Sequence, residues 1–169
     1  MDEIEAKILL NEDDVKQIVS VLGEPHFFSQ KNTFYVQGSQ FVRVREERGK
    51  TILTVKGARK HGKFNRRSEQ EIVSQLPKKH ITGLLELLSF QETLSYEKYR
   101  AEYLSYGCTV ALDILPDGRY YLEVEGKTRK IEMALRYLNL GHHPIEKMSY
   151  AELLQNKCKG HISEAAEVF

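Results

Sequence analysis

Pairs of like-charged residues, separated by a single residue, recur along this sequence. Two pairs are acidic and two are basic: Glu3-x-Glu5, Glu123-x-Glu125, Arg43-x-Arg45 and Lys98-x-Arg100. In a strand, both members of such a pair point to the same side, so their charges repel. A face that serves only solubility more often mixes the two signs, because opposite charges pair well across strands. The pattern therefore predicts two charge clusters that await ligands.

Each type of cluster favours a different ligand. Carboxylates suit a hard cation such as Mg²⁺ or Mn²⁺. Paired Arg and Lys side chains suit phosphate oxygens, to which they donate charge-assisted hydrogen bonds. A metal bound to a polyphosphate would satisfy both clusters together. We therefore predict Mg²⁺ or Mn²⁺ as the cofactor and a linear phosphate chain as the ligand.

Further charged residues fall on similar strand faces. They are Lys7, Lys56, Arg67, Glu69, Glu71 and Asp113. For any one strand alone, a solvated face is the simpler interpretation, since antiparallel sheets commonly have one. An internal repeat favours the functional interpretation, because Glu3-Ile4-Glu5-Ala6-Lys7 recurs as Glu123-Val124-Glu125-Gly126-Lys127. Each copy lies on a predicted strand that leads into a helix, which suggests two related halves.

The elements that must position these residues follow from hydrophobic periodicity and turn residues. Strands are predicted at about 3–10, 26–36, 40–47, 50–56, 64–73, 90–103, 108–115 and 119–126. Helices are predicted at 12–22 after an Asn11 cap, from Pro77 to about Leu88, from a Thr128 cap to Gly141, and after a Ser149/Glu152 capping box. No linker interrupts this series, so we predict one domain over residues 1–169.

Composition narrows the class of protein. The 169 residues are 41% hydrophobic and 29% charged, which suits one globular domain with a sizeable core. A net charge of +1 argues against a nucleic-acid binder. Cys108 and Cys158 are isolated, which favours a reducing, cytoplasmic location. We expect no membrane segment, because no apolar run is long enough, and no signal peptide, because Asp2 and Glu3 open the chain.

Taken together, these motifs resemble those of a known family, the CYTH superfamily of class IV adenylyl cyclases, thiamine triphosphatases and inorganic triphosphatases. The similar motifs, in order, are Glu3-x-Glu5-x-Lys7, Arg43-x-Arg45, Thr54-Val55-Lys56-Gly57, Arg67-x-Glu69-x-Glu71, Lys98-x-Arg100, Asp113 and Glu123-x-Glu125. The segment from Lys147 through Met148-Ser149-Tyr150-Ala151-Glu152-Leu153-Leu154 resembles the end of its cyclase-like branch. One departure is Asn32-Thr33-Phe34-Tyr35, where members often show Asp-x-Tyr-Phe-Asp.

The resemblance implies an α+β fold in which an eight-stranded antiparallel β-barrel forms a tunnel, with helices packed outside. It implies metal ligands among Glu3, Glu5, Glu69, Glu71, Asp113, Glu123 and Glu125. It implies phosphate contacts from Arg43, Arg45, Lys56, Arg67, Lys98, Arg100 and Lys147. Lys7, Glu5 and Glu123 would take part in catalysis, with Lys7 between the two groups. We expect the glutamates at 3, 5, 123 and 125 to repel one another in the empty protein.

Several functions remain open at this stage. Hydrolysis of tripolyphosphate, ATP or thiamine triphosphate is favoured, because we identify no nucleoside pocket in the sequence. Cyclisation of ATP to cyclic AMP is the alternative, and a polyphosphate or nucleotide sensor without turnover is the second. Nucleic-acid binding through the basic run from Lys56 to Arg67 is disfavoured, since a hairpin rich in Lys and Arg is usually a solvated loop. A homodimer is left open.

Several other residues that could indicate a functional site are better explained by structural roles. Gly57–Lys63 is a hairpin loop and not a P-loop, because Phe64 stands where Ser or Thr would bind Mg²⁺. His142 and His143 are surface residues, and Cys108 is a small core residue. The tyrosines that we expect to pack the barrel are Tyr99, Tyr103, Tyr106, Tyr120 and Tyr121.

Overall fold

A computed structural model describes residues 2–156 of the chain. Its strands are β1 (Asp2–Leu10), β2 (Phe28–Gln37), β3 (Gln40–Glu47), β4 (Lys50–Lys56), β5 (Asn65–Ser74), β6 (Gln91–Ser105), β7 (Cys108–Ile114) and β8 (Tyr120–Glu125). Its helices are α1 (Glu12–Leu22), α2 (Lys78–Leu87), α3 (Thr128–Tyr137) and α4 (150–156). The predicted strands and helices are therefore confirmed in number, type and order within this part of the chain.

The eight strands form one antiparallel sheet that closes into a barrel, in the order β1-β5-β4-β3-β2-β6-β7-β8. The first and last strands close the ring: β1 pairs with β5 on one side and with β8 on the other. Helices α1 and α2 lie in the connections after β1 and β5, and α3 follows β8. The predicted α+β fold, an eight-stranded antiparallel barrel with outer helices, is confirmed.

The main hydrophobic core lies outside the barrel wall, between the wall and the helices. Outward-facing apolar residues of β1, β7 and β8 include Ala6, Ile8, Val110, Leu112, Leu122 and Val124. They pack against Ile18 of α1 and Ile131 of α3, all fully buried. A smaller cluster joins Tyr35, Val42 and Val44 to Leu85 of α2. Because side chains alternate along a strand, this outer core leaves the charged residues on the inner face.

Two predicted helix caps hold α1 and α4 in place. Asn11 Oδ1 accepts the N–H groups of Asp13 and Asp14, each at 2.9 Å, and the Asp14 carboxylate accepts the Asn11 N–H. Before α4, Glu152 Oε2 accepts the Ser149 N–H at 2.6 Å, and Ser149 Oγ accepts the Glu152 N–H at 3.3 Å. These reciprocal bonds satisfy N–H groups that have no partner within the helix.

The predicted boundaries of α3 are wrong at both ends. Thr128 is the first helical residue and Lys127 is the N-cap, without a side-chain cap bond. The helix ends at Tyr137 and not at Gly141, because Asn139 takes the left-handed conformation, with φ of 55°. The Asn139 N–H then bonds to the carbonyl of Arg136 and the Leu140 N–H to that of Leu135. This early stop buries Leu140 in the core. Pro77, predicted to open α2, is likewise its N-cap.

The tyrosine prediction is only partly confirmed. Tyr121 is fully buried, but Tyr99 and Tyr106 are 51% and 40% exposed, because they lie on the outer face and the turn of the long β6–β7 hairpin. Cys108 is a buried core residue, as predicted. Cys158 and the C-terminal boundary of the predicted domain lie outside the described residues. Among the helices of residues 2–156, none has the length and apolar character needed to span a bilayer.

Candidate active site

The inside of the barrel contains a cavity of about 430 Å³. Thirteen of the fifteen residues predicted to form the site line it: Glu3, Glu5, Lys7, Arg43, Arg45, Lys56, Arg67, Glu69, Glu71, Lys98, Arg100, Glu123 and Glu125. The two that do not are Asp113 and Lys147. The alternation of side chains and the closure of the barrel thus bring together charged residues from six strands.

The carboxylates occupy three neighbouring strands, β8, β1 and β5, which we call the acidic wall. It contains Glu3, Glu5, Glu69, Glu71, Glu123 and Glu125. The register places the two copies of the internal repeat side by side, with Glu5 directly opposite Glu125. Like charges directly opposite each other on two strands are destabilising, so this part of the wall carries unfavourable electrostatic energy in the absence of a cation.

Proton affinities within the acidic wall reflect this crowding. The pKa of Glu125 is raised from 4.5 to about 7 by partial burial and by the nearby carboxylates, of which Glu3 and Glu5 contribute most. The pKa of Glu3 is also raised, by burial and by a hydrogen bond shared with Glu69, although Lys56 opposes the shift. Both shifts report a site where a proton or a cation is favoured.

The basic residues lie mainly on β3 and β6, the two strands that flank β2. We call this the basic wall, and it contains Arg43, Arg45, Lys98 and Arg100. Burial, with further repulsion from Arg43 and Arg100, lowers the pKa of Arg45 to about 10. Burial and Arg100 lower the pKa of Lys98 to about 7, against the opposing effect of Asp113. This wall therefore favours an added anion, as the acidic wall favours an added cation.

Glu123 differs from the other glutamates because it lies where the two walls meet. Arg100 Nη2 donates to Glu123 Oε2, and Lys7 Nζ is 3.4 Å from Glu123 Oε1. Burial would raise the pKa of Glu123, but Arg100, Lys7 and Lys98 outweigh it and hold the pKa well below its ordinary value. Glu123 takes part in the expected repulsion, because it raises the pKa of Glu125, but the cations around Glu123 outweigh that repulsion at Glu123 itself.

Lys56 and Arg43 join the two walls on the other side of the cavity. Lys56 Nζ lies 3.3 Å from Glu3 Oε2 and also pairs with Glu69. Arg43 Nη2 lies 3.1 Å from Glu71 Oε1 and 3.6 Å from Glu69 Oε1. These ion pairs connect the carboxylates of β1 and β5 to cations of β3 and β4.

Asp113 lies behind the basic wall, fully buried, and does not line the cavity. Its carboxylate accepts from Lys98 Nζ at 2.8 Å, from both Nε and Nη2 of Arg100, and from the Tyr150 hydroxyl at 2.8 Å. These donors hold the pKa of Asp113 below its ordinary value, although burial acts in the opposite sense. Asp113 therefore positions two cations of the basic wall, and we leave it out of the metal site proposed below.

Lys147 lies outside the main cavity, where its Nζ donates to the carbonyls of Gly62 and Lys63. It thereby holds the Gly57–Lys63 hairpin loop, which leads into a strand as predicted. The basic run around this loop is divided. Lys56 and Arg67 line the cavity, while Arg59 and Lys63 pair with Glu152 and Glu132. The basic run from Lys56 to Arg67 therefore does not form a single continuous surface. His142 is exposed, as predicted, but His143 is partly buried, 3.4 Å from Asp14.

Three aromatic residues of the cavity lining escaped the sequence analysis. Phe34 stacks on Phe41 and on Tyr96, with ring centres 5.2 Å and 5.7 Å apart. All three line the cavity, and Phe34 is next to Arg43 in the β2–β3 register. Side-chain alternation along β2 could have identified Phe34, because Phe34 and Asn32 lie on the same strand face. That face points into the cavity, where Asn32 accepts a hydrogen bond from Arg45 Nε at 2.9 Å.

Gln30, on the same face of β2 as Asn32 and Phe34, is a further cavity residue that the sequence does not single out. It is 1% exposed and donates to Glu47 through Nε2. Its Oε1 atom has no hydrogen-bond partner among residues 2–156. A buried amide oxygen without a partner is uncommon and can accept a bond from a ligand.

A model of the CYTH domain matches residues 1–140. The chain belongs to the CYTH family. CYTH triphosphate tunnel metalloenzymes are generally metal-dependent and bind triphosphates such as ATP. No curated protein matches the chain.

Solved structures share the fold over most of the chain. The PH1012 protein from Pyrococcus horikoshii OT3 is 26% identical, with a TM-score of 0.76 over 89% of this chain and 98% of that one. A protein from Hippeastrum, described as an adenylyl cyclase candidate with a dominant triphosphatase activity, is 16% identical, with a TM-score of 0.71 over 92% and 96%. A Bacillus halodurans protein described as an adenylate cyclase candidate is 21% identical, with a TM-score of 0.62 over 89% and 95%.

The acidic wall has the donor chemistry that a divalent metal of this family needs. Its side chains are all carboxylates, whose oxygens hard cations prefer, and burial with neighbouring carboxylates raises the pKa of Glu125, which favours an added positive charge. Within residues 2–156, however, no three His, Cys, Asp or Glu side chains are already grouped as a metal site.

Proposed function

We propose that this chain is a metal-dependent enzyme that processes triphosphates and most readily hydrolyses them. One observation carries the proposal. The acidic wall and the basic wall face each other across a single cavity. Burial together with nearby like charges raises the pKa of Glu125 to about 7 and lowers that of Lys98 to about 7. A metal and a phosphate chain bound together would relieve both kinds of repulsion.

The basic wall would bind and orient the phosphate chain. A triphosphate carries about four negative charges, and transfer of its terminal group depends mainly on positioning and charge stabilisation. Arg43 and Arg45 would hold phosphate oxygens through their guanidinium groups, and Arg100 would do so from β6. Asp113 fixes Arg100 and Lys98 in advance, so these donors need little reorganisation when the substrate binds.

The acidic wall would hold the metal, through Glu3, Glu5 and Glu125 with Glu69 close by. A Mg²⁺ or Mn²⁺ ion held by these residues would supply positive charge for the phosphate chain and make water more acidic. Lys7 lies 3.6 Å from Glu5 and 3.4 Å from Glu123. We propose that its ammonium stabilises negative charge that develops between the two walls, with Glu123 orienting it.

A second candidate, cyclisation of ATP, is favoured by the aromatic residues of the cavity. The sequence by itself indicates no nucleoside pocket, which favours hydrolysis over cyclisation. Phe34, Phe41 and Tyr96 offer ring faces beside Arg43, and a planar base attached to a triphosphate would stack on them. An organic triphosphate is therefore as suitable a substrate as tripolyphosphate.

A product assay tests the proposal. Tripolyphosphate, ATP and thiamine triphosphate are each incubated with Mg²⁺, with Mn²⁺ and with EDTA, and orthophosphate, pyrophosphate and cyclic AMP are measured in the same tubes. We expect orthophosphate with either metal and none with EDTA. Cyclic AMP with pyrophosphate would establish the cyclase instead. Binding of triphosphates without any product would contradict both and establish a sensor.

A further inference from the structure

Tyr150, the first residue of α4, contacts two lysines of the cavity at once. Its side chain is buried, and its ring centre lies 4.4 Å from Lys7 Nζ and 4.5 Å from Lys98 Nζ. Its hydroxyl donates to Asp113 Oδ2 at 2.8 Å, the same oxygen that accepts from Lys98. One side chain thus touches the cations of two different strands, β1 and β6.

Both lysines depend on such contacts because they are removed from water. Lys7 is 3% exposed and Lys98 is 1% exposed. A buried ammonium is costly unless other groups replace its hydration, and an aromatic face does so through its quadrupole. Lys7 Nζ also donates to the carbonyl of Met148 at 3.2 Å, so the segment before α4 supplies a second contact.

The position of Tyr150 is fixed on several sides. The Ser149/Glu152 capping box orients the start of α4, and Arg59 of the hairpin loop pairs with Glu152. The Tyr150 ring also makes an edge contact with Tyr121 of β8, at 5.3 Å between centres. A ring held in this way can in turn hold flexible lysine side chains.

We propose that Tyr150 is a positioning residue, which holds the ammonium groups of Lys7 and Lys98 where they can act on a bound phosphate chain. Its role in the reaction rests on the proposed function, but its hold on the two lysines does not. The family model ends at residue 140, so Tyr150 lies beyond the matched residues. The proposal therefore makes the segment from 148 to 150 part of the site.

Three variants of the full chain separate the parts of this role. Tyr150→Phe keeps the ring and removes the bond to Asp113. Tyr150→Leu removes the ring and keeps apolar bulk, and Tyr150→Met is a second ring-free variant with a side chain that adapts to irregular space. Leu153→Ala is the control, because Leu153 is a buried residue of the same helix that packs in the same cluster.

The first measurement is NMR of labelled lysine side chains, with the Lys7 and Lys98 signals assigned through Lys7→Arg and Lys98→Arg. A nearby aromatic ring displaces the resonances of both lysines. We expect the displaced signals in the wild type, in Tyr150→Phe and in Leu153→Ala, and their loss in folded Tyr150→Leu or Tyr150→Met. Unchanged signals in a ring-free variant would overturn the proposal.

The second measurement is the affinity for tripolyphosphate with Mg²⁺, by calorimetry. Loss of two buried cation–π contacts should weaken binding about tenfold or more in Tyr150→Leu. Tyr150→Phe and the Leu153→Ala control should each bind tripolyphosphate within about threefold of the wild-type affinity. An equal loss in Leu153→Ala would show that only packing matters and would overturn the proposal. If the wild type binds no tripolyphosphate, the proposed function fails, and the NMR result alone decides the role of Tyr150.

Discussion

Both walls of the cavity bring like charges close together, but they differ in how those charges are balanced by counter-ions. The basic wall has a permanent counter-ion, Asp113, which is fully buried and bonded to Lys98, Arg100 and Tyr150. In the acidic wall, Lys7 pairs with Glu5, but Glu125, directly opposite Glu5, has no ion pair among residues 2–156. The protein itself therefore supplies the counter-ion of the basic wall, whereas the charge of Glu125 in the acidic wall is left unpaired within residues 2–156.

This difference matches the needs of the two ligands. Phosphate transfer gains most from donors that are already fixed, because their reorganisation would otherwise add to the barrier. A metal ion brings two positive charges and can gather carboxylates around itself. In the proposed function, the repulsion around Glu125 would contribute to the free energy that favours metal binding.

The largest effect should come from the centre of the acidic wall. Glu5→Gln removes a charge that the metal site needs, and we expect turnover of tripolyphosphate to fall by about 100-fold or more, with loss of the response to Mg²⁺. Turnover is measured over a range of Mg²⁺ concentrations. Glu97→Gln is the control, because Glu97 is exposed and does not line the cavity. A Glu5→Gln enzyme with normal turnover would mean that the acidic wall does not bind the metal.

A smaller loss is expected from the basic wall. Arg45→Ala removes a preorganised guanidinium, so KM for tripolyphosphate should rise and kcat should fall, with kcat/KM reduced by roughly 10- to 100-fold. The dependence on Mg²⁺ should persist, since the acidic wall is intact. Arg129→Ala, on an exposed position of α3, serves as the matched control. If Arg45→Ala instead abolished the metal response, the two walls would not be separate binding surfaces.

A third comparison sets two glutamates of the same strand against each other in stability. Glu123→Gln removes the carboxylate that Arg100 and Lys7 share and leaves Arg100 paired only with Asp113 and Lys7 only with Glu5. We expect the ligand-free protein to lose about 2 kcal/mol of unfolding free energy. Glu125→Gln removes only repulsion, so the empty protein should be as stable as wild type or more so. Urea unfolding of both variants at pH 7 gives the comparison. Equal destabilisation by both would contradict the assignment of Glu125 to a self-repelling cluster.

The smallest effect is the pH dependence of that last variant. The pKa of Glu125 is raised from 4.5 to about 7 in the folded protein. Its contribution to stability is therefore fully present below pH 4.5 and is lost as the pH rises towards 7. The stability of Glu125→Gln relative to wild type should accordingly increase over this window. A constant difference between the two proteins from pH 4.5 to 8 would mean that the carboxyl titrates normally.

Much of this molecule followed from local sequence. Alternating charged and apolar residues predicted the strands, and Asn11 and the Ser149/Glu152 pair predicted helix starts, because caps and side-chain alternation depend on near neighbours. The same alternation put the charged pairs on common faces, and thirteen of fifteen predicted site residues line the cavity. Their roles as metal ligands, phosphate contacts and catalytic groups stay predictions, as do the cytoplasmic location and the homodimer.

Tertiary structure alone decided which charges meet. Closure of the ring puts β8 beside β1, so Glu5 faces Glu125, while Glu123 meets Arg100. The same closure sends Asp113 behind the basic wall, and the packing of α4 brings Tyr150 onto Lys7. Sequence spacing fixes only the strand face on which a side chain lies. Proton affinity depends on distances of a few ångströms between residues far apart in the chain, which exist only once the barrel has closed.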